Sequence, residues 1–321
     1  MSGTGSVEEQ VPKRSARREH IPLGIFYMLA ATVMFVGSSA LSKWQVVDYP
    51  IGEVLFVRTV TSLIVCALLI LPRAGLPVFR TRRPRDHLMR GIAQASSQTF
   101  IIIAFSLMPL AGAVAINFSS PLFATLASAL VLKEAVGAAR WSALIVGFLG
   151  VVIVAAPGAD SFQIGALFAL ANAVIYGSVT AAVRGMTATE STETLTMYQM
   201  VVLTFVFAAF LPFGLIMPTL GDATLLVANG AANALGQYWW TRALHLAPAS
   251  AVAPFLYFSL VWAIIIGFMV WGDLPTIGLL FGSAIVVGSG LFLLWREARR
   301  YDNRPKPSAD RIEKTVGRFT E

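Results

Sequence analysis

Comparison of the chain with itself constrains the fold more than any other feature of the sequence. Shifted by 139–140 residues, the two halves fall into register. Glu53, Leu55, Leu71 and Pro72 meet Glu193, Leu195, Leu211 and Pro212, and Gly91, Ala93, Gln94, Ala95 and Gln98 meet Gly230, Ala232, Asn233, Ala234 and Gln237. Ala104, Leu107 and Pro109 meet Ala243, Leu246 and Pro248, and Glu134 meets Asp273. Apolar residues coincide by chance in such a chain. Prolines, amides and acids aligned at nearly one offset mark an internal repeat.

Between residues 22 and 295 the chain breaks into apolar segments of about 16–24 residues, near the length of about 20 that a helix needs to cross hydrocarbon. They are placed at 22–43, 53–72, 88–108, 110–132, 141–156, 164–183, 195–217, 223–246, 249–271 and 276–295. The chain is 56% hydrophobic and 13% charged, which exceeds what a soluble core needs. Backbone amides in lipid must be paired within the segment, so the spans are expected to be helices. The predicted fold is an all-α integral membrane protein with ten transmembrane helices. Five spans is an odd number, so equivalent helices run in opposite directions, giving two inverted five-helix repeats of the kind that builds alternating-access transporters. The first repeat is set at 22–156 and the second at 164–296, with basic cytoplasmic tails at 1–21 and 297–321.

The net charge of +7 is distributed by side. Lys13, Arg14, Arg17 and Arg18 precede the first span; Arg73, Arg80, Arg82, Arg83 and Arg85 follow the second; Lys133, Arg140 and Arg184 mark later even-numbered loops. The odd-numbered loops carry Asp48, Asp160, Asp222 and Asp273, with Lys43 nearly alone as a cation. The positive-inside rule puts both termini in the cytoplasm. The basic tail, with no recognition fold beside it, reads as topogenic or lipid-facing, so the expected partners are the bilayer and a small-molecule substrate, and no nucleic acid. The first apolar segment exceeds a signal-peptide core and is read as a retained helix. Cys66, the single cysteine, lies inside the second span, so no intrachain disulfide is available.

The segment AFSLMPLAGAVAINFSSPLFATLASALVLKE at 104–134, with its second copy ALHLAPASAVAPFLYFSLVWAIIIGFMVWGD at 243–273, resembles the paired EamA domains of the drug/metabolite transporter superfamily. The resemblance implies a central cavity lined by helices one, three and four of each half, with each fifth helix peripheral. It is not specific for substrate, since similar family members export aromatic and other amino acids or import riboflavin or S-adenosylmethionine. Small multidrug exporters of the superfamily use a buried glutamate in their first helix. The matching stretch here, MLAATVMFVGSS, has none, which disfavours proton antiport of cationic drugs through such a carboxylate.

Polar side chains held in hydrocarbon are costly, so each is a candidate for function. Asn229, Asn233, Gln237 and Trp240 fall on one face of span eight, and Arg90, Gln94 and Gln98, with Ser97 beside them, form the matching stripe in span three. Such stripes either line a cavity or act as hydrogen-bonding glue between helices. Span six offers Asn172, Tyr176 and Thr180 four apart; span four carries Asn117, Ser119, Ser120 and Pro121, and span nine Pro254, Tyr257 and Ser259. Each proline frees a carbonyl for a substrate or a neighbouring helix, or is a packing kink. Arg58, whose repeat partner is Tyr198, lies about 7–8 Å inside the second helix at 1.5 Å per residue. It either snorkels outward, attracts an anionic group, or pairs with a tyrosine or amide inside the protein.

The candidate substrate-binding residues are therefore Arg58, Gln94, Gln98, Asn117, Asn172, Tyr176, Tyr198, Asn233, Gln237, Trp240 and Tyr257. Amides sharing a face with aromatic rings suit a planar heteroaromatic ligand. The expected function is a secondary transporter in a bacterial inner membrane, carrying a metabolite such as riboflavin, with export of aromatic amino acids or import of S-adenosylmethionine as alternatives. No enzyme constellation, metal-ligand spacing or phosphate loop is present, and no cofactor is expected. In GQYWWTRALHLAP at 236–248, Gln237 and Trp240 fall on the amide stripe while Arg242 and His245 mark the membrane boundary. Gly278 and Gly282, and Gly147 and Gly150, permit close helix approach, within one chain or between two, so monomer and homodimer stay open.

Overall fold

The computed structural model describes residues 20–131, 138–155, 160–186, 189–247 and 249–302. Lys133, Glu134, Pro248 and most of both basic tails lie outside them, as do the side chains of Arg140, Asp160, Arg184 and His245. The helices are α1 (Ile21–Gln45), α2 (Ile51–Ala74), α3 (Pro84–Leu107), α4 (Leu110–Asn117), α5 (Ser120–Val131), α6 (Ala138–Val154), α7 (Asp160–Met186), α8 (Thr192–Ala208), α9 (Leu220–Leu246), α10 (Ala249–Val252), α11 (Phe258–Trp271) and α12 (Ile277–Asp302). The end of the bundle at which α1 begins is its near end, the opposite end its far end.

Six apolar stretches among the described residues are long enough to cross a membrane, and two shorter ones lie in α6 and α12. The long helices α3 and α9 fall short of that hydropathy because of their amide stripes. Those two helices are repeat mates, and each packs chiefly on helices of the other half: α3 on α7 and α8, and α9 on α1 and α2. Polarity is tolerated there because protein rather than lipid surrounds it.

Exchanging the halves maps the helix contacts onto themselves. The contact of α1 with α9 becomes that of α7 with α3; α2 on α9 becomes α8 on α3; α2–α8 and α6–α12 map onto themselves; the exception is α4–α11, whose counterpart α10–α5 is not extensively packed. The chain is therefore an inverted pair of five-span units. The aligned Gly91 and Gly230 mark equivalent contacts: a side chain at Gly91 would strike Val202 of α8, and one at Gly230 would strike Thr61 and the Arg58 carbonyl of α2. Gly150 and Gly282 bring α6 and α12 backbone to backbone, each within 2.9 Å of the other's carbonyl once a Cβ is built. The glycine seam joins helices within one chain.

Two spans depart from the expected continuous helices. Span four breaks after Asn117, and span nine consists of α10, a 3-10 turn over Ala253–Tyr257, and α11. Pro121 has no N–H for the Asn117 carbonyl, and the Ser120 hydroxyl donates to that oxygen instead at 2.6 Å. The carbonyl freed by this proline is thereby taken. Span seven ends at Ala208 rather than 217, running into a 3-10 turn at Leu211–Phe213 that contains Pro212. The repeat-equivalent Pro72 is accommodated inside the last turns of α2, which closes at Gly75 with φ 66°.

Candidate functional site

The far end is held by polar contacts between elements that the sequence separates widely. Pro109 has no N–H for the Phe105 carbonyl, and the Lys43 ammonium donates to it at 2.9 Å and to the Met108 carbonyl at 2.7 Å, 5.2 Å from the Trp271 ring centre. The Lys43 ammonium thus caps the end of α3. Tyr49 donates to Asp222 at 2.8 Å, and buried Glu53 accepts from the Ile216 amide at 2.9 Å. Hydrogen bonds from Thr219 and Tyr49 hold the Asp222 carboxyl below its ordinary range, and the bond to Asp222 pushes the Tyr49 phenol up.

Deeper in the bundle, Arg58 turns inward, 7% exposed. It donates to Gln98 Oε1 at 2.6 Å and to Ser42 Oγ at 3.3 Å, so it pairs with an amide inside the protein instead of snorkelling. The same Ser42 accepts from Asn229, which also donates to Gln45 at 2.8 Å and accepts from Ser38 at 2.6 Å. One network therefore ties α1, α2, α3 and α9. A second joins α3, α7 and α4: Ser97 donates to Asn172 at 2.6 Å, and Asn172 donates to Asn117 at 2.8 Å. Thr32, at the repeat position of Asn172, accepts from Trp262 of span nine, so each half's first helix holds the other half's broken span.

These networks divide the amide stripes. Asn229 has its donors and acceptor engaged between helices, and Asn233 donates to Ser62 at 3.1 Å. The side chains of Gln94 and Gln237, one in each half, make no hydrogen bond to any described residue. Gln94 is nonetheless buried, 6% exposed. Tyr176 shares the face of α7 that buries Ala169, Asn172 and Ala173, yet is itself 44% accessible, which describes a side chain lining a cleft.

The remaining candidates are distributed around this centre. Trp240 packs against the buried cluster of Met28, Ala243, Ala247 and Val252 toward the near end. Tyr257 meets the Phe118 ring at 4.9 Å between centroids, at the breaks of the two discontinuous spans, and its hydroxyl lies over Gly290. Tyr198 sits apart from the others. Its hydroxyl donates to the Phe79 carbonyl at 2.7 Å and its ring stacks on His87 at 4.4 Å, near the loop after α2. Arg242 is exposed. Sequence reasoning passed over Arg90 and Lys43 as site residues. Arg90 is buried and donates to the Leu195 carbonyl at 3.2 Å and to Gln199 Oε1. The signal for both was present, an ionisable side chain within or bordering an apolar span.

The broken spans define an opening. Their far halves, α4 and α11, pack together, whereas α5 makes no extended contact with α10 or the adjoining 3-10 turn. The bundle is closed toward the far end and parted toward the near end, with Gln94 and Tyr176 on the parted side. Among the described residues, no group of three His, Cys, Asp or Glu side chains gathers to hold a metal.

Comparison with known proteins agrees with this architecture. A solved crystal structure superposes with a TM-score of 0.59 at 23% identity, covering 84% of this chain and 97% of that one. A riboflavin transporter from Rhizobium johnstonii is 29% identical over 87% of this chain and 93% of its own length. An S-adenosylmethionine uptake transporter from Rickettsia bellii is 27% identical over 86% of this chain and 95% of its own length. The description of the EamA-like transporter family matches residues 22–156 and again 163–295. With both halves matched and the inverted repeat in place, this multi-pass membrane protein belongs to the EamA-like transporter family.

Proposed function

We propose that the protein carries a planar heteroaromatic metabolite of the riboflavin class across a bacterial inner membrane, by alternate opening of a cleft between its two inverted halves. The observation that carries this reading is the pair of uncommitted amides, Gln94 and Gln237, together with the accessible ring of Tyr176. A carboxamide offers one donor edge and one acceptor, which complements the alternating carbonyl and N–H edge of an isoalloxazine, and a phenol ring adds a stacking face. Asn233, Trp240, Tyr257, Asn117, Asn172 and the Arg58–Gln98 pair shape the surroundings of that site, while Tyr198 acts at its entrance.

The relatives also include S-adenosylmethionine transporters. A sulfonium cation would require a compensating carboxylate, and the acidic residues of the described helices lie at or near helix ends. Buried Glu53 is already bound to Ile216. This favours the flavin class over the sulfonium. The exposed Arg73, Arg80, Arg82 and Arg85 at the near end support a cytoplasmic near face with both termini cytoplasmic.

The test is flux of radiolabelled riboflavin into proteoliposomes holding this protein alone, with S-adenosylmethionine and aromatic amino acids as competitors. Saturable flux blocked by unlabelled riboflavin is expected. Flux blocked only by S-adenosylmethionine or an amino acid would reassign the substrate.

A further inference from the structure

Arg90 lies on α3 one turn before Gln94, and it is 9% exposed. Its two terminal nitrogens are held by the Leu195 carbonyl and by Gln199, both neutral, and its Nε is enclosed with no partner among the described residues. The one ion pair among the described residues joins Arg83 to Asp86, so no carboxylate bridges to Arg90. A guanidinium kept within a membrane span against neutral partners alone carries an uncompensated charge. That arrangement is costly unless a counter-charge arrives with a ligand. The guanidinium faces α8 through its terminal nitrogens, and α3 packs along α7, which carries Tyr176. Tyr176 lines the cleft, and the free amide of Gln94 follows one turn deeper.

Arg58 is the other buried arginine among the described residues, but it lies toward the closed far end and is tied into the Ser42–Asn229 network. Arg90 sits on the parted side.

We infer that Arg90, Tyr176 and Gln94 form an anion subsite that takes the phosphate monoester or carboxylate of the substrate, while its ring lies farther along the amide stripe. This deepens the proposed site and rests on that reading: of the flavins it would carry, the phosphate ester is preferred over neutral riboflavin. Planar geometry suits the role, because a guanidinium fork matches two oxygens of a phosphate or carboxylate.

The test measures binding to the purified full chain with two matched pairs of probes. Riboflavin is compared with riboflavin 5′-phosphate, and tryptamine with tryptophan, so that within each pair the anionic group is gained at a constant ring. The phosphate ester is expected to bind about tenfold more tightly than riboflavin, the scale of one charge-assisted hydrogen bond. Arg90→Gln should erase that difference while leaving riboflavin within about twofold, and Arg90→Lys should restore part of it. Raising salt should weaken the ester and spare riboflavin. If riboflavin binds as tightly as its phosphate, or if Arg90→Gln weakens both equally in protein that stays monodisperse, the subsite is refuted and the flavin reading stands. If neither flavin binds but tryptophan outbinds tryptamine in an Arg90-dependent way, the flavin reading falls and the subsite holds a carboxylate. No anion preference in either pair refutes the subsite.

Discussion

Asn229 and Gln237 share one face of α9, yet their side chains do different work. Asn229 makes buried bonds to Ser38, Ser42 and Gln45, while Gln237 makes none to a described side chain. Asn229→Ala should cost about 1–3 kcal/mol of stability, since interhelical bonds in membranes average about 0.6 kcal/mol and orphaned partners add to the loss. Gln237→Ala should cost under about 0.5 kcal/mol. It should instead weaken substrate binding by about five- to tenfold. Thermal unfolding and binding measured on both variants separate the roles; equal effects on stability would show that Gln237 is also structural. His87 supports a second prediction. Burial holds its imidazole below the ordinary range, with nearby Arg90 acting in the same direction and Glu190 and Asp86 opposing. The unfolded chain then binds a proton more readily than the native one. The His87 contribution to stability is complete above about pH 6.5 and is lost as pH falls through the lower native value. His87→Phe keeps the stack on Tyr198 and removes the titration, so its melting temperature should fall less between pH 7 and 5 than the wild type's. The amide stripes were legible because helical spacing places them on one face. Which amides are spent on neighbours was not, since Ser38 and Ser42 approach Asn229 only through the crossing of α1 and α9.

At the scale of the element, the break between α4 and α5 is a hydrogen-bond substitution. Ser119 and Ser120 donate to the carbonyls of Ile116 and Asn117, and Pro121 supplies no donor. Ser120→Ala should cost about 1–3 kcal/mol by orphaning the Asn117 oxygen. Pro121→Ala brings an N–H to that oxygen, so the double variant should recover roughly 1 kcal/mol of the loss, a coupling read from a double-mutant cycle of thermal stability. Additive effects would mean that the hydroxyl and the missing amide are unrelated. The α6–α12 seam gives a sharper outcome. A valine at Gly282 meets the Val154 side chain and the Gly150 carbonyl at 2.7 and 2.8 Å, with backbone on one side that has little room to yield. Gly282→Val should be among the most destabilising single changes, whereas Gly278→Ala, with neighbours no nearer than 3.7 Å, should be close to neutral. The prolines of spans four and nine and the glycines of spans five and ten were all visible in the sequence. Whether a proline kinks or breaks a helix depends on which hydroxyl takes its carbonyl, and whether a glycine seam is internal depends on which helix faces it. Neither is encoded in hydropathy.

For the whole molecule, the inverted repeat implies two equivalent states, and the structure holds one of them: α4 meets α11 at the far end while α5 and α10 stand apart. The far end is latched by Tyr49 to Asp222, which Thr81 to Glu190 matches at the near end, and by Lys43 to the end of α3, which has no counterpart among the described residues of the other half. A sequence aligned with itself shows that two states exist; it does not show which is preferred, because the preference resides in how these residues differ between the halves. Cysteine accessibility measures it. Cys66 is buried in α2, so a Cys66→Ser background permits single reporters to be read. Tyr176→Cys should react with a membrane-impermeant thiol reagent about tenfold faster from the near face than from the far face if the near-open state holds an advantage of about 1.4 kcal/mol. Adding Asp222→Asn weakens the latch by the strength of a charge-assisted bond, and should shift labelling toward the far face by about five- to twentyfold if that bond exists only in the near-open state. Equal labelling from both faces in the unlatched and latched proteins would mean that Tyr176 is reached through lipid or a side opening, and that the cleft does not alternate.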